Sequence, residues 1–273
     1  MIVLARDATR ELMSGNALVL APHPDDDVFG CGALVAAMIR SGGSVTVAFA
    51  TDGEGAASTA LARHPGELAA LRRTEAQAAL AILGVGPERI HWFALGNGLL
   101  GERLEEAVAL VLELVDQTRP ANVFVSDLYD PHPDHRALSI AARRVAVKRP
   151  GMFRLFAYPI LAKEIGPWPE ASLRGVRLLG TVLGCGRRMG RPVRARVDTT
   201  EQKRRAVEAH ASQTLAPTYT GEAVMGPRVV RILVDEPELF FSVDEAGDAP
   251  ATPSSGSPGG WPRAHGRRAH PRR

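Results

Sequence analysis

Two short segments of this 273-residue chain concentrate side chains able to hold a cation and move a proton. The first is Ala21-Pro22-His23-Pro24-Asp25-Asp26-Asp27 and the second is Asp130-Pro131-His132-Pro133-Asp134-His135. Their prolines remove backbone freedom and keep the loops out of helix, so the ligands stand in a fixed array. Two imidazoles and one carboxylate with open positions make a catalytic zinc site, in contrast to a closed structural one. Water on such an ion falls in pKa from about 16 to about 7. A carboxylate beside it can take the proton as an amide carbonyl is attacked, worth about 10²–10⁴ in rate. A positively charged imidazole opposite can stabilise the oxyanion. Residue type alone leaves open which of Asp25 and Asp26, and which of His132 and His135, holds the metal.

Both segments need rigid elements behind them. ALVLA (17–21) is a short apolar run of the kind that forms a strand buried on both faces, NVFVS (122–126) reads as another strand, and one of the two segments follows each. VTVAFA (45–50) and 91–95 predict two further strands. Helices are expected from about Gly30 to Ile39, from Pro65 to Leu83 closed by Gly84, over 102–118, and from about Asp134 to Val147. This alternation predicts an α/β fold, a Rossmann-like doubly wound and mostly parallel sheet, with ligands at the carboxyl ends of its strands. Beyond Pro150, FRLFAYPI and RARVDT read as strands, Thr199–Ser212 as a helix, and VRILV and LFFSV as a closing hairpin or edge strands. From about Gly247 the composition turns to Pro, Gly, Ser and Arg, so one domain over 1–246 and a disordered tail over 247–273 are expected.

Composition narrows the function classes. With 45% hydrophobic and 23% charged residues the chain suits a globular domain. The two cysteines, Cys31 and Cys185, form no C-x-x-C pair, so any metal must be held by His and carboxylate. The net charge of +3 comes from the tail: without its five arginines, 28 basic residues face 30 acidic ones. Nucleic acid is therefore not an expected partner. No apolar run approaches the roughly 18 residues of a membrane span, and the N-terminus lacks the apolar centre of a secretory signal, so no membrane partner and a cytoplasmic location are expected.

His23-Pro24-Asp25-Asp26 followed by an acid, with His132-Pro133-Asp134-His135 further along, resembles the PIG-L/LmbE-like N-deacetylases, which are Rossmann-like zinc enzymes acting on N-acetylglucosaminyl groups. The resemblance covers roughly residues 15–215, including Leu71-Arg72-Arg73-Thr74-Glu75 and Lys203…His210-Ala211-Ser212-Gln213. It implies His23, Asp26 and His135 as ligands of one Zn2+ (Fe2+ being an alternative), Asp25 as general base, and His132 as the oxyanion-stabilising or proton-donating group. The implied substrate is a small amino sugar, which would lose acetate to give a free amine. Thirty arginines against three lysines point to a GC-rich bacterial source and favour an antibiotic, aminoglycoside-like pathway, with a glucosaminyl thiol-pathway or glycopeptide substrate as alternatives. Three departures bear on this. Asp27 stands where the family usually has Glu, Asn97-Gly98-Leu99-Leu100 where it often has an Asp-led element, and Asp130 where some members have Tyr.

Blander readings exist for several residues. Asp27 fits a cap for the helix near Gly30, Arg72 and Glu75 a surface i,i+3 pair, and His210, Ser212 and Gln213 a helix end. Cys31 is expected in the core. The rival in a different class is a nucleotide-binding Rossmann protein, with Gly30-Cys31-Gly32 as phosphate turn and Asp52 as ribose ligand. The intervening His-Pro-Asp loop and Val35 in place of a third glycine argue against it.

Overall fold

The computed structural model describes residues 5–56, 59–160, 191–218 and 223–243. In chain order its first half comprises β1 (Arg6–Asp7), α1 (Thr9–Leu12), β2 (Ala17–Ala21), α2 (Asp26–Arg40), β3 (Val45–Phe49), α3 (Pro65–Leu83), β4 (Ile90–Trp92), α4 (Leu104–Thr118) and β5 (Asn122–Ser126). Then follow α5 (Pro133–Lys148), β6 (Arg154–Tyr158), β7 (Arg191–Arg194), α6 (Thr200–Glu208), α7 (Ala211–Thr214), α8 (Pro227–Asp235) and β8 (Leu239–Val243).

Strands β2, β3 and β5 are buried along their whole length, as the centre of a doubly covered sheet requires. The sheet order is β1-β7-β8-β6-β5-β2-β3-β4, with β8 antiparallel to both neighbours and every other pairing parallel. Side chains of α2, α3, α6 and α8 pack into one core cluster and those of α4 and α5 into another, so helices cover both faces. The segment β4-β3-β2-β5-β6 reverses direction between β2 and β5, and that switch point is where such a sheet opens a crevice at its carboxyl edge. Both His-Pro-Asp segments leave from those two strands.

Helix α3 has Pro65 at its first position and ends on Gly84 at φ 89°, a left-handed conformation that costs glycine little. Four expectations for the chain's second half are corrected. VRILV lies in α8: Pro227 opens it, and Val229, Leu233 and Val234 fall on one buried helical face that apolar content alone does not separate from a strand. RARVDT contributes only Arg194 to β7. The helix over Thr199–Ser212 breaks at His210 into α6 and α7. LFFSV is β8, an interior strand between β6 and β7. The expected tail, residues 247–273, lies outside the described residues. Among the described residues no helix is long and apolar enough to cross a membrane.

Candidate metal centre

Helix α2 begins inside the first loop, earlier than its apolar pattern suggests. The Asp25 carbonyl accepts from the backbone N–H of Val28 and Phe29 at 3.1 and 3.0 Å, so Asp25 is the N-cap and Asp26 enters the first turn. Asp25 adopts φ 150°, a conformation a non-glycine residue holds only when its surroundings impose it. The second loop is ordered from the other side of the switch point. His132 caps α5 by accepting the Asp134 N–H on Nδ1 at 3.1 Å, and Pro133 fills the first helical position.

These turns bring together one atom from each of the three residues expected as ligands. Asp26 Oδ2 lies 3.1 Å from His23 Nδ1 and 3.2 Å from His135 Nε2, and the two ring nitrogens are 3.3 Å apart. Ligands at about 2.0–2.1 Å around a tetrahedral zinc stand about 3.3 Å from one another, so the triangle has the size a single ion demands. The remaining ring nitrogens face carboxylates, as metal-binding histidines require. His23 Nε2 is 3.2 Å from Asp134 Oδ2, and His135 Nδ1 is 3.2 Å from Asp130 Oδ1. All three members of the triangle are buried. His132 is half-buried beside them, with a ring nitrogen within 4.8 Å of those of His23 and His135.

Electrostatics follow from this crowding. Burial works against a charged His135 ring, but Asp26 and Asp130 outweigh it and push its pKa up to about 10. Burial likewise opposes an ionised Asp26, and the charge and hydrogen bond of His135 overcome it, holding the carboxyl well below its usual range. Without metal the triangle thus carries a proton that an incoming cation must displace. Zinc loading near neutral pH is expected to release at least one proton, read as a calorimetric heat that varies with buffer ionisation enthalpy. Apparent affinity should rise with pH towards about 10, where the free ring loses its proton anyway. A buffer-independent heat would remove His135 from the site.

Burial, and then the charges of His23 and His135, lower His132 to about 4. The expected positively charged imidazole is therefore a neutral ring. Because Nδ1 accepts from Asp134, its proton sits on Nε2, which makes it a donor. Burial raises Asp25 to about 6, against the pull of Arg72, whose Nη2 lies 3.0 Å from Asp25 Oδ2.

Arg72 and Glu75 are not the surface pair expected of them. Both are buried on the face of α3 that also carries Leu68, Ala76, Ala79 and Leu80. Arg72 donates to Gly53 O at 3.1 Å and Pro24 O at 2.9 Å, and a side chain at Gly53 would overlap its guanidinium. Glu75 accepts from Ser212 N and Oγ at 2.8 and 2.6 Å. The two weaker sequence segments meet here and brace the first loop from behind. Their helical phase was the available signal, since 68, 72, 75, 76 and 79 trace one stripe.

Other candidates separate cleanly. Asp27 caps nothing: it is buried, neither carboxylate oxygen finds a partner among the described residues, and burial reinforced by the Asp25 charge pushes its pKa to about 8. Asp130 faces His135, while Tyr129 is partly exposed. Asp134 also accepts from Gly98 N at 2.6 Å and Leu100 N at 3.2 Å, so the loop bearing Asn97 is tied to the carboxylate that faces His23. Cys31 is buried, as expected. His210 is buried, and neither ring nitrogen has a hydrogen-bond partner among the described residues. Residues 57–58 and 161–190 lie outside the described residues, while Thr59 bridges to Thr218.

The nucleotide reading loses its parts. Gly30 and Gly32 are inside α2, where a Cβ at Gly30 would overlap the Tyr158 ring and one at Gly32 would press on Lys203. Asp52 is held bidentately by Arg73 at 2.9 and 2.8 Å, and that guanidinium stacks 4.7 Å over Trp92.

A Catenulispora acidiphila protein, 1D-myo-inositol 2-acetamido-2-deoxy-alpha-D-glucopyranoside deacetylase 1, is 30% identical over 200 residues, 62% of this chain and 58% of that protein. The chain spans 52–62% of the length of the curated relatives it matches. The fold resembles N,N'-diacetylchitobiose deacetylase from Pyrococcus horikoshii, with TM-score 0.51 and 23% identity over 76% of this chain and 77% of that one. It equally resembles GalB, the 4-carboxy-2-hydroxymuconate hydratase of Pseudomonas putida, with TM-score 0.53 and 19% identity over 73% and 80% of the two chains. The fold alone therefore does not choose a reaction. The profile described as PIG-L, GlcNAc-PI de-N-acetylase, matches residues 18–146, a stretch that carries both His-Pro-Asp segments.

Proposed function

We propose that this protein is a metal-dependent N-deacetylase that hydrolyses the acetamide of an N-acetylglucosaminyl-type amino sugar to acetate and a free amine. The observation that carries the reading is the triangle of 3.1–3.3 Å contacts between His23 Nδ1, Asp26 Oδ2 and His135 Nε2. These three residues would hold one zinc; His₂Asp also accepts Fe2+. When bound, zinc supplies Lewis acidity, which makes water nucleophilic near neutral pH. Asp25 then takes the proton of the attacking water. Arg72 engages its Oδ2 and leaves Oδ1 for that transfer. The Nε2–H of His132 donates to the carbonyl oxygen as it gains charge, and the proton held by Asp25 passes to the departing amine.

The amino sugar is supported by the family and by the curated relatives, whose names specify a 2-acetamido-2-deoxyglucopyranoside of inositol. That puts N-acetylglucosaminyl-inositol first among substrates to test, ahead of the aminoglycoside-like precursor that composition favoured. The experiment is acetate release from the zinc-loaded protein with N-acetylglucosaminyl-inositol, N-acetylparomamine, N-acetylglucosaminyl-malate and an N-acylated glycopeptide. Turnover of at least one amino sugar is expected. A zinc-replete protein that releases no acetate from any of them would overturn the reaction, and the hydratase on the same fold would become the reading to pursue.

A further inference from the structure

Helix α2 is not continuous. Cys31 has φ −144° and ψ 20°, so a first turn carrying Asp26 and Asp27 is broken from the longer helix behind it. In an unbroken helix the Ala33 N–H would donate to the Phe29 carbonyl, four residues back. Here those two groups lie at opposite ends of an ion pair. Lys203 Nζ donates to Phe29 O at 2.9 Å and to Glu238 Oε1 at 2.8 Å, and Glu238 Oε1 accepts the Ala33 N–H at 2.8 Å. Glu238 Oε2 accepts the Leu34 N–H at 2.9 Å, and Thr199 Oγ1 donates to Ala33 O at 2.5 Å. Lys203 and Glu238 are 1% and 3% exposed, which marks the pair as an insert in the helix ladder and not a surface contact.

A single helical turn cannot hold itself, because nucleation fixes several residues for one hydrogen bond. The first turn of α2 is anchored at its start by Asp25, through the N–H groups of Val28 and Phe29, and at its carbonyl end by Lys203. Between those anchors stands Asp26. Both partners of the ion pair lie beyond residue 146, where the PIG-L match stops: Lys203 on α6, and Glu238 at the entry to β8.

We propose that the buried Lys203–Glu238 ion pair, inserted between Phe29 and Ala33 of the broken α2, is a positioning device that sets the first turn of this helix and with it the carboxylates of Asp25 and Asp26. The inference rests on the metal-dependent reading above. The C-terminal part of the chain thereby helps to build a centre whose ligands all come from the N-terminal part.

The test is Lys203→Met in the full chain, with zinc affinity measured by chelator competition, the visible spectrum of the cobalt-loaded protein, and kcat and KM at saturating zinc. Loss of an outer partner of a metal site costs about 10–100-fold in affinity or activity, and a loss of that size is expected in zinc affinity. An altered cobalt spectrum and a fall in kcat with KM little changed are also expected. Glu238→Gln, which keeps the side-chain volume and one acceptor, should move the same readings in the same direction by less, and it decides the matter if Lys203→Met does not fold. Folded variants with wild-type zinc affinity and an unchanged cobalt spectrum would overturn the proposal, even with a lowered melting temperature. A wild-type protein that binds neither zinc nor cobalt would overturn the metal reading itself, so the two failures are distinguishable.

Discussion

Asp25→Asn is expected to lower kcat by about 10²–10⁴ while zinc stays bound, because it removes the base and leaves the ligands untouched. Asparagine has the same shape, can still accept from Arg72, and is among the residues most tolerant of unusual φ, so the strained turn at Asp25 should survive. Zinc should remain because Asp25 is outside the contact triangle of His23, Asp26 and His135. The pH profile adds a second reading. A base works only when deprotonated, so the wild-type rate should fall as pH drops through the pKa of Asp25. That value is about 6 in the metal-free chain, raised mainly by burial, and a bound cation draws it lower. The acid limb should therefore lie at or below pH 6 and disappear in the variant. Unchanged turnover would remove Asp25 from the reaction, and loss of zinc would move it into the ligand set.

The largest effect on the metal is expected from His135→Ala. One corner of the triangle disappears, and zinc affinity should fall by more than about 100-fold, beyond what loss of an outer partner costs. His132→Ala should keep the metal, since that ring is a donor beside the triangle and not one of its corners. Equal zinc loss in both variants would instead support the cluster of three imidazoles as the binding set. The metal-free His135→Ala protein should also be less stable than the metal-free wild type at neutral pH. His135 is raised to about 10 against its burial by Asp26 and Asp130, so its folded-state pKa exceeds its unfolded one. Its stabilisation is complete below about pH 6.5 and is lost as pH rises through about 10. The difference between the two metal-free proteins should shrink over that window, as followed by urea unfolding.

Local pattern carried much of this protein. Short, largely apolar runs announced β2, β3 and β5, proline and glycine marked the ends of α3, and strand–helix alternation implied the doubly wound sheet. Because such a sheet exposes its strand ends at one edge, two His-Pro-Asp segments following β2 and β5 already implied a shared centre. These features depend on neighbours a few residues apart, and sequence periodicity records that range. What it does not record is which groups from distant segments meet. The proposed division of roles between Asp25 and Asp26 rests on a backbone angle of 150° and a guanidinium from α3. The proposed division between His132 and His135 rests on which ring nitrogen lies against Asp26. Arg72 and Glu75 read as a surface pair along the chain, and only packing turns them inward and pairs Glu75 with Ser212, as it also buries Lys203 against Glu238. Sequence determined where the candidate metal ligands gather, at the β2–β5 switch point, because the two proline-stiffened loops follow those strands. Tertiary structure decided which atoms of the two loops face one another there, because a buried charge is costly unless the fold places a counterpart beside it.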